Sequence, residues 1–104
     1  MALPPLTPEE RAAALEKAAA ARRVRAELRE QLKQSKVSLA EVFKAGERDD
    51  AIGKMRVSAV LESMPGVGKI RAERIMERLS ISTSRRVRGL GAHQRAALEQ
   101  EFAD

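Results

Sequence analysis

A chain of 104 residues with 20 lysines and arginines, 15 acidic residues and no cysteine has room for one modest domain plus an extension, and it excludes disulfides and thiolate metal sites. The single His93 cannot build a histidine metal cluster, and two aromatics, Phe43 and Phe102, are too few to stack single-stranded bases. No basic-then-apolar leader opens the chain and no apolar run reaches the ~20 residues of a membrane span, so a soluble cytoplasmic protein without metal or cofactor is expected.

Met1 to Leu6, with Pro4-Pro5, reads as a frayed arm. Thr7-Pro8-Glu9-Glu10 then starts a helix, with Thr7 as cap, Pro8 in the first helical position and Glu10 completing a capping box. This helix is predicted from about Pro8 to Gln34, a rod of roughly 40 Å at about 1.5 Å per residue. Ala14, Ala18, Ala21, Arg25, Leu28 and Leu32 share one face, and only the two leucines are large enough to dock firmly. The earlier turns should project or pack lightly. They carry Arg22, Arg23 and Arg25, with Arg29 beyond, which is either a solvated surface or a basic rod that lies along a phosphate backbone as a second contact.

Gln34-Ser35-Lys36 interrupts the pattern, which divides the chain into an arm and long helix over 1–36 and a helical domain over 37–104. Ser38 and Glu41 form a second capping box, so a short helix is predicted from Ser38 to Ala45, stopping at Gly46 with Leu39, Val42 and Phe43 inward. A brief helical turn near Asp50 to Gly53 follows, with Ile52 and Met55 inward. Ser58 is expected to cap a helix running to Met64 and ending at Pro65, because the residue before a proline avoids the helical region.

Met64-Pro65-Gly66-Val67-Gly68-Lys69 is the organising stretch. A nucleotide-hydrolysing loop would need glycine at Ser63 and a hydroxyl at Ile70, and a dinucleotide fingerprint would need glycine at Arg71 after a strand. All of these fail. What survives is a tight turn opening a helix, where a phosphate can approach the N–H groups of Gly66, Gly68 and Lys69. The helix that follows should bury Ile70, Ile75, Met76 and Leu79, with Ala72 at a close approach and Arg71, Arg74 and Arg78 outside. From Pro65 to Arg95 there are eight basic residues and two acidic ones, Glu73 and Glu77, so the +5 of the chain is concentrated here. Such a face is the footprint of a polyanion partner. Arg85-Arg86-Val87-Arg88, between Ser84 and Gly89, adds three forked cations, expected at the same end of the domain as the glycine turn. Gly91 and Gln94 should open a last helix packed on the motif helix through Leu90, Leu98 and Phe102, leaving His93 exposed.

The run Pro65-Gly66-Val67-Gly68, then Ala72 and Ile75, resembles the hairpin signature of helix-hairpin-helix and helix-two-turns-helix DNA-binding motifs. The stretch from Leu79-Ser80-Ile81 through the arginines to Gly91 is similar to an arrangement shared with a small-subunit ribosomal protein. With Leu15 to Arg23 and Gly53-Lys54-Met55, nearly the whole chain resembles the actinobacterial integration host factors. That resemblance implies an all-α fold: a long N-terminal helix, then a compact bundle of short helices containing the helix-two-turns-helix motif. It further implies a nucleoid-associated protein that binds double-stranded DNA largely irrespective of sequence, bends or compacts it, and assists a phage integrase. The implied contacts are Pro65, Gly66, Val67, Gly68 and Lys69, with Arg85, Arg86 and Arg88; Arg71 lies beside the turn.

No enzyme is expected. Glycosylases of the hairpin class use a lysine two residues after the second glycine, which here is Ile70, and no carboxylate lies between Glu77 and Glu99. The competing reading is binding to structured RNA or the ribosome. Without asparagine, and with glutamines outside the motif, base-edge readout is poorly supplied, so phosphate contacts and duplex deformability should dominate. No heptad repeat is evident, and a monomer is expected.

Overall fold

A computed structural model describes residues 4–103; the first part of the expected frayed arm, Met1 to Leu3, lies outside the described residues. Helix α1 spans Pro8–Lys33 and begins as its sequence dictates: the Thr7 hydroxyl accepts from the Glu10 N–H at 3.1 Å while the Glu10 carboxylate accepts from the Thr7 N–H at 3.1 Å. It ends one residue before the predicted boundary. Ser35 adopts the left-handed conformation (φ 57°), so the Lys36 N–H turns back to the Gln31 carbonyl at 2.8 Å and closes the last turn. Leu28 and Leu32 are buried and Val24 packs beside them, whereas Leu15 stays exposed. From Ala19 to Ala21 the alanine face is half-buried, because this part of α1 lies across α3, which spans Asp50–Gly53.

Helix α2, Leu39–Gly46, carries the second predicted capping box, Ser38 with Glu41, and buries Leu39, Val42 and Phe43. Its C-terminal Gly46 is buried against α3 rather than marking a left-handed stop. A methyl group on Gly53 would stand 2.6 Å from the Gly46 carbonyl oxygen, and one on Gly46 would stand 2.8 Å from Val87. Two glycines therefore let α2, α3 and the later arginine loop meet backbone to backbone. Asp49 caps α3, its carboxylate accepting from the Ala51 N–H at 2.8 Å.

Helix α4 is Val57–Glu62, and its cap is Arg56, not Ser58, which falls inside the first turn. The reason is long-range. Arg56 pairs with Arg86 in an isolated antiparallel bridge, the Val57 N–H donating to the Arg85 carbonyl (3.0 Å) and the Val87 N–H to the Met55 carbonyl (2.9 Å). That pairing holds Arg56 extended and starts the helix immediately after it.

Helix α5, Lys69–Arg78, packs on α4 through Ala72, Ile75 and Met76, with Ala72 fully buried where the helices approach. Ile70, expected inside, is 66% exposed because the second position of the helix faces outward beside the turn. A left-handed Ser80 (φ 58°) ends α5, its neighbour Ile81 donating to the Met76 carbonyl at 2.8 Å. A 3-10 turn, Val87–Gly89, follows, then helix α6, Ala92–Glu101, opened by the Gln94 side chain accepting from the Gly91 N–H at 3.1 Å. Leu98 is fully buried and His93 exposed. α6 was expected on the motif helix, but it packs chiefly against α2, where the Arg95 guanidinium sits 5.5 Å from the Phe43 ring centroid. The link to α5 is made by Arg78 with Glu101 and by Gln94 donating to the Ser80 carbonyl at 3.3 Å. One apolar core joins all of this, from Leu28 to Leu98, with no buried charge among the described residues. Each fully buried Val or Leu in it stabilises the fold by about 1.5–3 kcal/mol.

Candidate nucleic-acid interface

The turn between α4 and α5 is built around Val67. Its side chain is buried and its N–H donates to the Met64 carbonyl at 3.1 Å, so the flanking Pro65, Gly66, Gly68 and Lys69 are pushed outward and stand exposed. Gly66 has φ +74°, a conformation that favours glycine. Among the described residues, the N–H groups of Gly66, Gly68 and Lys69 meet no protein acceptor. Gly68 caps a helix of ten residues and has open space where a side chain would stand. Free donors, a helix dipole and the Lys69 ammonium together make a site suited to an anion. Arg71 leans back over the turn, donating to the Gly66 carbonyl at 3.3 Å.

The arginine loop is ordered by its own side chains. Arg85 donates to the Gly89 carbonyl at 3.0 Å and Arg86 to the Lys54 carbonyl at 2.6 Å. Arg88 differs, because its Nε donates to the Gly46 carbonyl at 3.1 Å and its Nη1 lies 2.8 Å from the Asp50 carboxylate. The Asp50 carboxyl is accordingly held below its ordinary range, first by the Arg88 hydrogen bond, then by the Arg88 charge and by Lys54 and Lys17. Arg85 and Arg86 bond carbonyls and have no acidic partner among the described residues, whereas Arg88 is paired with an acid.

Sequence reasoning expected turn and loop at the same end of the domain. Instead, the Arg56–Arg86 bridge fixes the loop at the start of α4, while the turn follows its end. Between them lies α4, six residues and so about 9 Å long at about 1.5 Å per residue.

Of the suggested second contact, Arg22 and Arg23 are exposed and Arg25 is half-buried. Arg25 lines a depression together with Arg29, Lys54, Arg56 and Arg86, so α1 and the arginine loop share one basic hollow. Lys54 and Arg56 were not singled out from the sequence, since their proximity to Arg86 depends on a pairing 30 residues apart in the chain. Among the described residues no cluster of His, Asp and Glu could hold a metal ion, and no helix is long and apolar enough to cross a membrane.

Fold and surface together define a helical protein of the helix-two-turns-helix class, and residues 32–102 match the model of the S13-like H2TH domain. A relative from Streptomyces coelicolor named Integration host factor is 72% identical over 98% of this chain and 95% of its own length. The Integration host factor of Mycobacterium tuberculosis is 58% identical over 98% of this chain and 97% of its own. A solved structure of sIHF bound to an 8bp palindromic DNA is similar with a TM-score of 0.83 and 67% identity, covering 85% of this chain and 99% of that one. The chain belongs to the integration host factor family of actinobacteria.

Proposed function

We propose that this protein is a nucleoid-associated, architectural DNA-binding protein, not an enzyme, which grips double-stranded DNA through its phosphates with little preference for sequence. The observation that carries the reading is the pair of basic points at the two ends of α4: the donor-rich turn Pro65 to Lys69 and the carbonyl-anchored Arg85 and Arg86. The helix between them, about 9 Å long at ~1.5 Å per residue, is of the order of a groove width, about 6 Å for the minor groove and 12 Å for the major. Two anchors straddling a groove can load the duplex unevenly and so favour bending or compaction, with deformable sequences preferred. Similarity to a protein solved on DNA supports the same partner.

Assistance to a phage integrase follows as a consequence of bending, since a bent duplex brings recombination sites together. The protein acts as a monomer in the cytoplasm, on the nucleoid. A second reading, binding of structured RNA, is favoured by the S13-like character of the matched domain. Competition between a duplex DNA and a structured RNA at equal salt separates the two: duplex DNA is expected to win, and a clear preference for RNA would overturn the choice. Bending is tested by energy transfer between dyes at the ends of a short duplex, which should rise on binding; an unchanged transfer at saturation contradicts it.

A further inference from the structure

We propose that the hollow lined by Arg25, Arg29, Lys54, Arg56 and Arg86 is a phosphate-binding site in its own right. Three remote parts of the chain build it: α1 supplies Arg25 and Arg29, the joint between α3 and α4 supplies Lys54 and Arg56, and the arginine loop supplies Arg86. Its floor is the buried Met55 and the half-buried Ala59, and its volume is about 360 Å³. At ~30 Å³ per water that is room for on the order of a dozen waters, or a short oligophosphate.

Charge is the main argument. Five cations line the hollow and no carboxylate does. The ion pairs among the described residues engage Arg78, Arg88 and Arg95, none of which belongs to it. Asp50, the acid nearest in sequence to Lys54, is hydrogen-bonded by Arg88 and reaches Lys54 only through its charge. Like charges gathered in one concavity repel each other, and a multivalent anion relieves that repulsion.

Geometry adds preorganisation. The Arg56–Arg86 bridge locks the two backbone segments together, with Val57 and Val87 buried beside it, and Arg86 is steadied by the Lys54 carbonyl at 2.6 Å. The Arg86 guanidinium, held in this way, needs little reordering to bind a phosphoryl group. The hollow also joins Arg25 and Arg29 to the arginine loop, so that part of α1 extends one surface instead of forming a separate one. The phosphate is either a backbone phosphate of the duplex on that loop, which rests on the proposed function, or a free oligophosphate.

The test uses Arg29→Gln, Lys54→Gln and Arg56→Gln combined in the full chain; all three residues are exposed. A charge-matched control carries Arg11→Gln, Lys36→Gln and Arg74→Gln. Calorimetric titration with inorganic tripolyphosphate at constant ionic strength should show binding to the native chain and the control, weakened at least tenfold in the hollow variant. Equal tripolyphosphate affinity in all three, or none in the native chain, overturns the site. A second arm measures duplex affinity against salt, where three lost contacts should lower the slope by about 2–3 at roughly 0.9 per phosphate. A reduced slope assigns the site to the duplex backbone; weakened tripolyphosphate binding with an unchanged slope assigns it to free anions. Failure of the native chain to bind duplex at any salt sinks the DNA reading and leaves the tripolyphosphate arm to decide this one. If the triple variant does not fold, Lys54→Glu alone carries the same comparison.

Discussion

Arg88 Nη1 stands 2.8 Å from Asp50 Oδ1, and the same guanidinium reaches through Nε to the Gly46 carbonyl at 3.1 Å. One side chain of the basic loop, still exposed, thereby ties the loop to the junction of α2 and α3, while Arg85 and Arg86 have no acidic partner among the described residues. Replacing Arg88 by alanine is expected to lower stability by about 1 kcal/mol, because its carbonyl bond is part-buried and joins segments 42 residues apart, whereas that of Arg85 is exposed and local. Arg85→Ala should shift it by less than about 0.5 kcal/mol, as for an ordinary surface change. Urea unfolding of both variants checks this; an equal loss from both would contradict the division of labour.

Gly53 and Gly68 differ in the same spirit. A methyl on Gly53 would collide with the Gly46 carbonyl oxygen at 2.6 Å and with the Arg88 Nε at 2.8 Å, whereas Gly68 has open space around it and an ordinary φ of −90°. Gly53→Ala is expected to cost about 1–3 kcal/mol of stability by overpacking. Gly68→Ala should leave the melting temperature nearly unchanged and weaken duplex binding, because its methyl occupies the approach of a phosphate to the turn. Normal binding by Gly68→Ala would remove the turn from the interface.

Acid should weaken the fold modestly. The Asp50 carboxyl is lowered by Arg88 and the Glu47 carboxyl by the Arg95 hydrogen bond and charge, so both bind protons less readily when folded than when unfolded. Their contribution is present above the ordinary carboxylate range, about pH 4, and is lost as pH falls through and below it. Thermal melts from pH 7 down to pH 3 should show a decline that shrinks in Asp50→Asn combined with Glu47→Gln. Both groups lie in solvent, so salt should reduce the effect. A native chain that gains stability on acidification would contradict the pairing.

Ser80 ends α5 in a left-handed conformation (φ 58°) that glycine adopts without strain. Ser80→Gly should therefore raise stability by about 0.5–1 kcal/mol, read from urea unfolding, and leave duplex affinity alone. A destabilised variant would mean that the serine side chain matters more than its backbone.

Local chemistry made much of this fold legible in the sequence. The capping pairs Thr7 with Glu10 and Ser38 with Glu41 are written in neighbouring residues and appear as hydrogen bonds, whereas α4 ends at Glu62, short of the expected stop at Met64 and Pro65. Leu28, Leu32, Val42, Phe43 and Leu98 follow from helical spacing and are buried. What escaped depends on distant contacts. Ser58 carries a cap signal, yet the pairing of Arg56 with Arg86 starts α4 earlier. Ile70 reads as core but lies on the outer side of the first turn of α5. Three arginines in four residues look alike as letters, and only Asp50 and the Gly46 carbonyl distinguish Arg88 from its neighbours. Spacing along a chain cannot state which end of α4 the loop will reach.

The most direct measurement is the salt dependence of duplex affinity for the native chain and for the double variant Arg85→Ala with Arg86→Ala. About six neutralised phosphates give the native chain a slope near −5 in log affinity against log salt. The double variant should keep its helical spectrum and lose about two units of slope at roughly 0.9 per contact. A native chain whose affinity ignores salt, or a double variant with an unaltered slope, would contradict the claim that these two arginines supply a share of the charge by which the protein holds DNA.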